Sequence, residues 1–179
     1  MDRSPDHQQL IRILQAAYSG ELAAAYAYRG HWKSLSSHVE REKIQQIENE
    51  EWLHREKVGL MLERSGARPM KARELRMLVI GRAIGLSCRF IGWFLPMYFA
   101  GRIENSNVKE YESAAFHASR LGLIGFEPDL RVMARVEAEH EIFFLKMVKG
   151  HRLLPMMRTI FGWGQEETTK AKAATSSAD

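Results

Sequence analysis

Two short segments of the chain each place a glutamate three residues before a histidine. The first pair is Glu51 and His54, and the second is Glu137 and His140. Residues three apart lie on one face of an α-helix, so the carboxylate and the imidazole of each pair can reach the same ion. Two such pairs, with one inward-facing glutamate from each of two further helices, form the ligand set of four-helix bundles that hold two iron or manganese ions.

The apolar residues around both pairs indicate helices whose core-facing side carries the pair. They recur at steps of three and four from Ile44 to Met61 and again from Leu130 to Met147, so the two stripes superimpose. This correspondence predicts an internal structural repeat. By the same count, the neighbouring Glu48 and Glu50 are expected on the solvent side. Imidazole and carboxylate together suit a redox-active iron pair, whereas a structural zinc site would favour cysteines.

A third glutamate, Glu21, lies within an apolar stripe that predicts a first helix from Pro5 to Leu35. An unpaired carboxylate on a buried helix face is costly. Alone, such a residue is more often half of a core ion pair than a metal ligand. Its significance comes from the two glutamate–histidine pairs, whose ligand set requires one glutamate from a further helix.

The fourth glutamate is open among Glu104, Glu110 and Glu112 on the third helix of the bundle. Glu104 lies in an uninterrupted apolar stripe and precedes Glu137 by 33 residues, close to the 30 residues between the ligands of the first two helices. The late start of the last helix, at Pro128, instead favours Glu112. Glu104 is the preferred ligand, with Glu112 in reserve.

The composition fits one helical domain. Only five of the 179 residues are proline, and 45% are hydrophobic, which is enough for a sizeable core. The expected fold is all-α, a ferritin-like four-helix bundle over residues 1–163, followed by a disordered tail at 164–179 rich in Glu, Thr, Lys, Ala and Ser. The single cysteine, Cys88, excludes an internal disulfide and indicates a reducing compartment.

Residues 75–101 form the most apolar segment and are expected to be a long helical crossover between helices 2 and 3 of the bundle. Arg76, Arg82 and Arg89 interrupt it at roughly helical spacing. The segment can be a buried connection or an interfacial helix with its arginines at lipid headgroups, and the two are compatible. Its uncharged run is too short to span a membrane. The basic residues behind the net charge of +4 are scattered, so nucleic acid is not an expected partner.

Four motifs make the chain resemble a known family. They are Gly20-Glu21 followed by small residues and Tyr28-Arg29-Gly30-His31; Glu51 and His54 followed by Arg68-Pro69; Glu104 with Tyr111 seven residues on; and Glu137 with His140. In this order they resemble the demethoxyubiquinone hydroxylase family, the di-iron monooxygenases of ubiquinone biosynthesis, over residues 9–150. Two motif positions differ, since His31 replaces a glutamine and Glu110 stands where the family commonly has histidine. The segment 93–99 is also bulkier than the family's small-residue run.

The resemblance implies a metal site of six ligands: Glu21, Glu51, His54, Glu104, Glu137 and His140. They would hold two iron ions, or manganese in their place, the first three ligands at one ion and the last three at the other, with some glutamates bridging. Tyr28 and Tyr111 are candidate catalytic residues, as substrate contacts or in electron transfer, although each is more simply a core tyrosine with a satisfied hydroxyl. The implied reaction is O2-dependent aromatic C–H hydroxylation of a quinone-like lipid, with electrons from NADH or a reductase.

The expected location is peripheral, on the cytoplasmic face of an inner membrane, since the polar N-terminal residues show no signal peptide. The resemblance also implies a homo-oligomer or a ubiquinone-biosynthesis complex. The alternatives are a ferritin-like ferroxidase or peroxidase, a hydroxylase or oxidase of another lipid, and a membrane-associated protein whose carboxylates only form ion pairs. A ferritin cage would not expose the apolar crossover, and a rubrerythrin would carry four more cysteines, so hydroxylation is the leading hypothesis.

Overall fold

The structure, a computed structural model, describes residues 4–164, and within them it contains six helices and no strand. The helices are α1 (Pro5–Ser34), α2 (His38–Arg64), α3 (Lys71–Ser87), α4 (Phe94–Arg120), α5 (Glu127–Val148) and α6 (Leu154–Phe161). The predicted all-α class is therefore confirmed. The tail expected from residue 164 lies, but for its first residue, outside the described residues.

Four long helices form the bundle, and α3 lies outside it. α1 packs against α2, α3 and α4, while α4 packs against α5. Short turns join α1 to α2 and α4 to α5, so the partners in each pair run antiparallel. The connection through α3 lets α2 and α4 point in the same direction.

Local sequence signals set the ends of the first two helices. The hydroxyl of Ser4 accepts a hydrogen bond from the backbone N–H of His7 at 3.2 Å, and Pro5 follows in the first turn. Ser37 caps α2 in the same way, accepting from the N–H of Glu40 at 3.4 Å. After α2 the chain reverses at Gly66, whose φ of 68° favours glycine.

The core consists of two apolar clusters at opposite ends of the bundle. One cluster joins the start of α1 to the ends of α2 and α4 and the start of α5, and includes Leu10, Leu14, Val58, Leu62, Ala115, Leu130 and Met133. The other joins the opposite ends of these helices and includes Tyr28, Ile44, Ile47, Met97, Tyr98, Phe144 and Trp163. The residues between the clusters in sequence are the predicted metal ligands, so the polar site occupies the middle layer of the bundle.

The crossover is shorter than the sequence suggested. Within 75–101, α3 ends at Ser87, the chain turns at Gly92 with φ 77°, and α4 begins at Phe94. The last residues of the segment are therefore the first turns of a bundle helix, in which Phe94, Met97 and Tyr98 are buried. No helix in the described part of the chain is both long and apolar enough to cross a membrane.

Close contact between glycines seats α3 on α1. A Cβ at Gly30 of α1 would lie 2.2 Å from backbone atoms of Gly85, and a Cβ at Gly81 would lie 2.5 Å from the carbonyl oxygen of Ala23. Real Cβ atoms do not approach backbone so closely. The two helices can therefore touch along this line only because these positions have no side chain.

Candidate metal centre

The six predicted ligands lie together in the buried middle layer, and none is more than 5% exposed. Glu21 comes from α1, Glu51 and His54 from α2, Glu104 from α4, and Glu137 and His140 from α5. Their ligand atoms form two overlapping groups, Glu21 with Glu51, His54 and Glu137, and Glu104 with Glu51, Glu137 and His140. Within each group the atoms lie within 4.8 Å of one another.

The overlap of the two groups distinguishes terminal from shared carboxylates. Glu51 and Glu137 belong to both groups, whereas Glu21 and Glu104 each belong to one. A carboxylate has two oxygens and can bridge two ions, so Glu51 and Glu137 would be the bridging carboxylates of a two-ion site, and Glu21 and Glu104 the terminal ones.

Both imidazoles point a nitrogen into the carboxylates. The Nδ1 atom of His54 lies 2.9 Å from Oε1 of Glu137. The Nδ1 atom of His140 lies 3.6 Å from Oε1 of Glu51 and 3.6 Å from Oε2 of Glu137. Each histidine thus directs its Nδ1 atom toward the centre of the cluster, where that atom lies next to an oxygen of Glu137.

The three candidates on α4 fall in different places. Glu104 is completely buried with the other ligands, whereas Glu110 and Glu112 are exposed. The backbone register of α4 therefore brings only Glu104 to the cluster.

Substitution of Glu104 by Ala should abolish the uptake of at least one metal ion, while Glu112→Ala should bind as many ions as the wild type does. Metal content per chain after reconstitution checks this, and the opposite result would contradict the register.

The electrostatics of the cluster favour a cation. Burial, together with the other carboxylates, raises the pKa of Glu51 and Glu104 well above the usual range, and burial raises that of Glu21. Burial also acts on Glu137, but hydrogen bonds with Glu104, His140 and His54 hold its pKa below the usual range. Four carboxylates at this spacing repel one another, and divalent ions would replace the protons that otherwise relieve the repulsion.

Several buried polar atoms of the cluster have no hydrogen-bond partner. They are Oε2 of Glu21, both carboxylate oxygens of Glu51, Oε2 of Glu137 and Nδ1 of His140. Buried polar atoms are nearly always satisfied in native proteins, so a set of orphans facing one point requires a cause. Two divalent ions bound by oxygen and imidazole nitrogen would satisfy all of them, and this donor set suits iron or manganese.

The two tyrosines named as catalytic candidates bind the terminal carboxylates. The hydroxyl of Tyr28 donates to Oε1 of Glu104, and the hydroxyl of Tyr111 donates to Oε1 of Glu21. Each tyrosine lies seven residues after one terminal glutamate and contacts the other, so the pattern crosses between α1 and α4. Burial, followed by the nearby carboxylates, raises the pKa of both phenols well above 10, which keeps them protonated as donors.

Two glutamates of α2 that helical periodicity placed on the solvent side are less exposed than expected. Glu48 was expected in solvent but is buried, because Arg29 and Trp32 of α1 each donate to its carboxylate at 2.7 Å. Glu50 is half-buried and accepts from Nε2 of His140 at 2.7 Å. The periodicity of one helix cannot show partners that come from another helix. The position of Glu50 directly before the candidate ligand Glu51 was the one sequence signal that it could contact the site.

A partly open cavity of about 900 Å³ lies between α1, α3 and α4 and reaches the cluster at Glu21, Tyr28 and Tyr111. Its walls are mostly apolar side chains of α3 and α4, including Met77, Ile80, Ile84, Leu95, Phe99 and Ile103. His31 also lines the cavity, is buried, and has an Nε2 atom without a partner. A nonpolar molecule entering here would reach the side of the cluster formed by α1 and α4.

An all-α bundle with four carboxylates and two imidazoles in its central layer defines the ferritin-like class of helical bundles. The family described as Ubiquinone biosynthesis protein COQ7 matches residues 8–115, which is more than half of the chain. The chain belongs to this family, and the resemblance seen in its motifs is confirmed. The match includes Glu21, Glu51, His54 and Glu104, and the structure adds Glu137 and His140 from beyond it. No curated protein and no solved structure matches the chain.

Proposed function

We propose that the protein is an O2-dependent di-iron monooxygenase that hydroxylates a quinone-like lipid in ubiquinone biosynthesis. Membership of the family supports the pathway. The observation that carries the reaction class is the pair of overlapping ligand groups, buried in the bundle and reached by an apolar cavity. A ferroxidase would need a polar route for Fe²⁺, whereas the walls of this cavity are mostly apolar, with polar side chains such as Asn105, Asn107 and Glu110 on only part of the lining.

The roles of the residues follow from their positions. Glu51 and Glu137 would bridge two iron ions, with Glu21 and His54 at one ion and Glu104 and His140 at the other. When bound and reduced, the iron pair supplies the redox chemistry that inserts one oxygen atom of O2 into a C–H bond and releases the other as water. Two electrons from NADH or a reductase complete the balance. Tyr28 and Tyr111 fix the orientation of the terminal carboxylates through their hydroxyl groups.

The substrate would enter the cavity with its ring toward Tyr28 and Tyr111. A volume of about 900 Å³ holds an aromatic head and part of an isoprenoid tail. Burial lowers the pKa of His31 to about 4, so its imidazole is neutral near pH 7 and its unpartnered Nε2 can bond to an oxygen substituent of the ring. Because His31 replaces a glutamine of the family motif, the ring substituents recognised here would differ from those of other members.

The outer face of α3 supports docking at a membrane surface. Apolar side chains there are exposed, including Leu75, Val79 and Leu86, and Phe90 in the following turn is 80% exposed. Arg76, Arg82 and Arg89 lie among them and could reach lipid headgroups. The cavity beneath α3 would then open toward the bilayer that contains the substrate. We assign the protein to the cytoplasmic face of the inner membrane, as a homo-oligomer or within a ubiquinone-biosynthesis complex.

Flotation with liposomes tests this docking. The protein should float with anionic vesicles and should remain partly bound at high salt, because apolar burial resists screening while headgroup attraction does not. Phe90→Ser should lower the bound fraction at high salt. Ile124→Ser, which removes a side chain that is 85% exposed at the α4–α5 turn, is the matched control and should change nothing. A wild-type protein found wholly in the soluble fraction would contradict the membrane proposal.

The function as a whole is tested by metal content and by quinone analysis. The reconstituted protein should contain two iron ions per chain, and a strain lacking the gene should accumulate a quinone precursor without the hydroxyl group. Restoration by the wild-type chain, but not by His140→Ala, is the expected result. Normal quinones in the deletion strain would reject the lipid hydroxylase, and rapid Fe²⁺ oxidation in the same protein would then favour the ferroxidase.

A further inference from the structure

The outer nitrogen of His140 is held by a chain of polar contacts that starts on α2. Its Nε2 lies 2.7 Å from Oε2 of Glu50, and Oε1 of Glu50 accepts a hydrogen bond from Nε2 of Gln46 at 2.9 Å. Both oxygens of Glu50 are therefore engaged. Because an N–H at Nε2 of His140 donates to Glu50, the lone pair of the ring is left on Nδ1, which faces Glu51 and Glu137.

Among residues 4–164, the other half of the bundle has no equivalent chain of contacts. Glu51 and His54 of α2 correspond to Glu137 and His140 of α5, an offset of 86 residues. At the same offset, Glu50 corresponds to Val136, and Gln46 corresponds to Val132. Neither valine can accept a proton from an imidazole. The two halves thus match in their ligands but differ at the residues next to them.

We propose that Glu50 is a positioning residue that makes the two metal positions unequal, so that the ion held by His140 and Glu104 binds more tightly than the ion held by His54 and Glu21. This inference rests on the di-metal part of the proposed function. It concerns the affinity and order of filling of the two positions, which the shared ligand set alone leaves equal.

The physical basis is the hydrogen bond from a ligand histidine to a carboxylate. Such a bond fixes the tautomer and orientation of the ring and increases its basicity, and its loss typically lowers metal affinity by about 10- to 100-fold. At the His140 position, Glu50 also adds a negative charge near the cation. In the half that holds His54, the residue corresponding to Glu50 is Val136, whose apolar side chain can supply neither effect.

A double-mutant cycle with Mn²⁺ as the only added metal tests the assignment. His54→Ala removes a ligand from one position and leaves the position of His140 complete. His140→Ala does the reverse, so each variant isolates one metal position. Glu50→Gln should lower Mn²⁺ affinity about 10- to 100-fold in the first background and less than about threefold in the second. Glu50→Asp should recover part of the loss. Free Mn²⁺ can be counted by its electron paramagnetic resonance signal, without any measurement of activity.

Two controls separate the outcomes. Glu56→Gln removes the same charge from an exposed position of α2 and should leave both affinities unchanged. Equal losses from Glu50→Gln in both backgrounds, or no loss in either, would overturn the inference while leaving the di-metal site in place. If a single-histidine variant does not fold, Glu50→Gln in the intact chain decides, because it should weaken only one of two Mn²⁺ ions. A wild-type protein that binds fewer than one Mn²⁺ per chain would instead contradict the proposed function.

Discussion

Glu51→Gln is expected to abolish metal loading and, at the same time, to stabilise the metal-free protein. Both oxygens of Glu51 are buried without a partner and belong to both ligand groups. Burial, and then repulsion by Glu137, Glu21 and Glu104, raises its folded-state pKa well above the usual range. Above the unfolded pKa, ionisation of this group therefore favours the unfolded chain, and the penalty grows as the pH rises toward the folded value. A neutral amide of the same shape removes that penalty.

The expected gain in the metal-free protein is about 1–4 kcal/mol, the range found when buried ion pairs are replaced by uncharged residues of similar volume. In a domain of this size each kcal/mol corresponds to roughly 2–4 °C in Tm. Thermal unfolding followed by circular dichroism, with and without Mn²⁺, measures both effects. The wild-type Tm should rise on adding the metal and the variant Tm should not. Glu112→Gln, at an exposed position, is the control and should behave as the wild type does. A Glu51→Gln protein that still binds two ions would contradict the bridging role of Glu51.

The clustered glutamates and histidines were predictable as candidate ligands because each interrupts the apolar pattern of its own helix. Glu51 with His54, and Glu137 with His140, interrupt apolar stripes at core positions, where a charged or polar side chain requires a reason. The preference for Glu104 over Glu112 rested on stripe continuity, and the structure places Glu104 in the cluster. The number of residues between Glu104 and Glu137 was a weaker guide, because the turn between α4 and α5 is longer than the turn between α1 and α2.

The contacts around the ligands were less predictable because they join distant parts of the chain. Glu48 is buried through α1 residues, and Glu50 contacts His140, 90 residues away. The end of α3 was hidden for a different reason, since residues on both sides of the break are apolar. Only the positive φ of Gly92 and the burial of Phe94 against the bundle separate the two helices. Helical periodicity gives the face of a residue but not the neighbour that covers it.

Gly30→Ala is expected to displace α3 from α1, and with it the wall of the cavity, while the metal site stays intact. The added Cβ would lie 2.2 Å from backbone atoms of Gly85, and backbone cannot rotate away as a side chain can. Overpacking of this kind costs about 1–3 kcal/mol. Because none of the six candidate ligands is on α3, Mn²⁺ binding should be retained. Hydroxylation of the quinone-like lipid should fall on the order of 100-fold, the effect of misplacing a substrate by about 1 Å.

Gly20→Ala is the matched packing control, because it lies on the same helix and its Cβ would meet nothing within 4 Å. There the better helix former should stabilise the protein by about 0.5–1 kcal/mol. Hydrogen exchange of the α3 amides distinguishes the two variants: it should accelerate in Gly30→Ala and remain slow in Gly20→Ala. Rapid exchange in α3 together with full lipid hydroxylation would mean that α3 does not form the substrate route. Loss of Mn²⁺ binding in Gly30→Ala would mean that displacement of α3 also shifts α1 and so disturbs the candidate metal site.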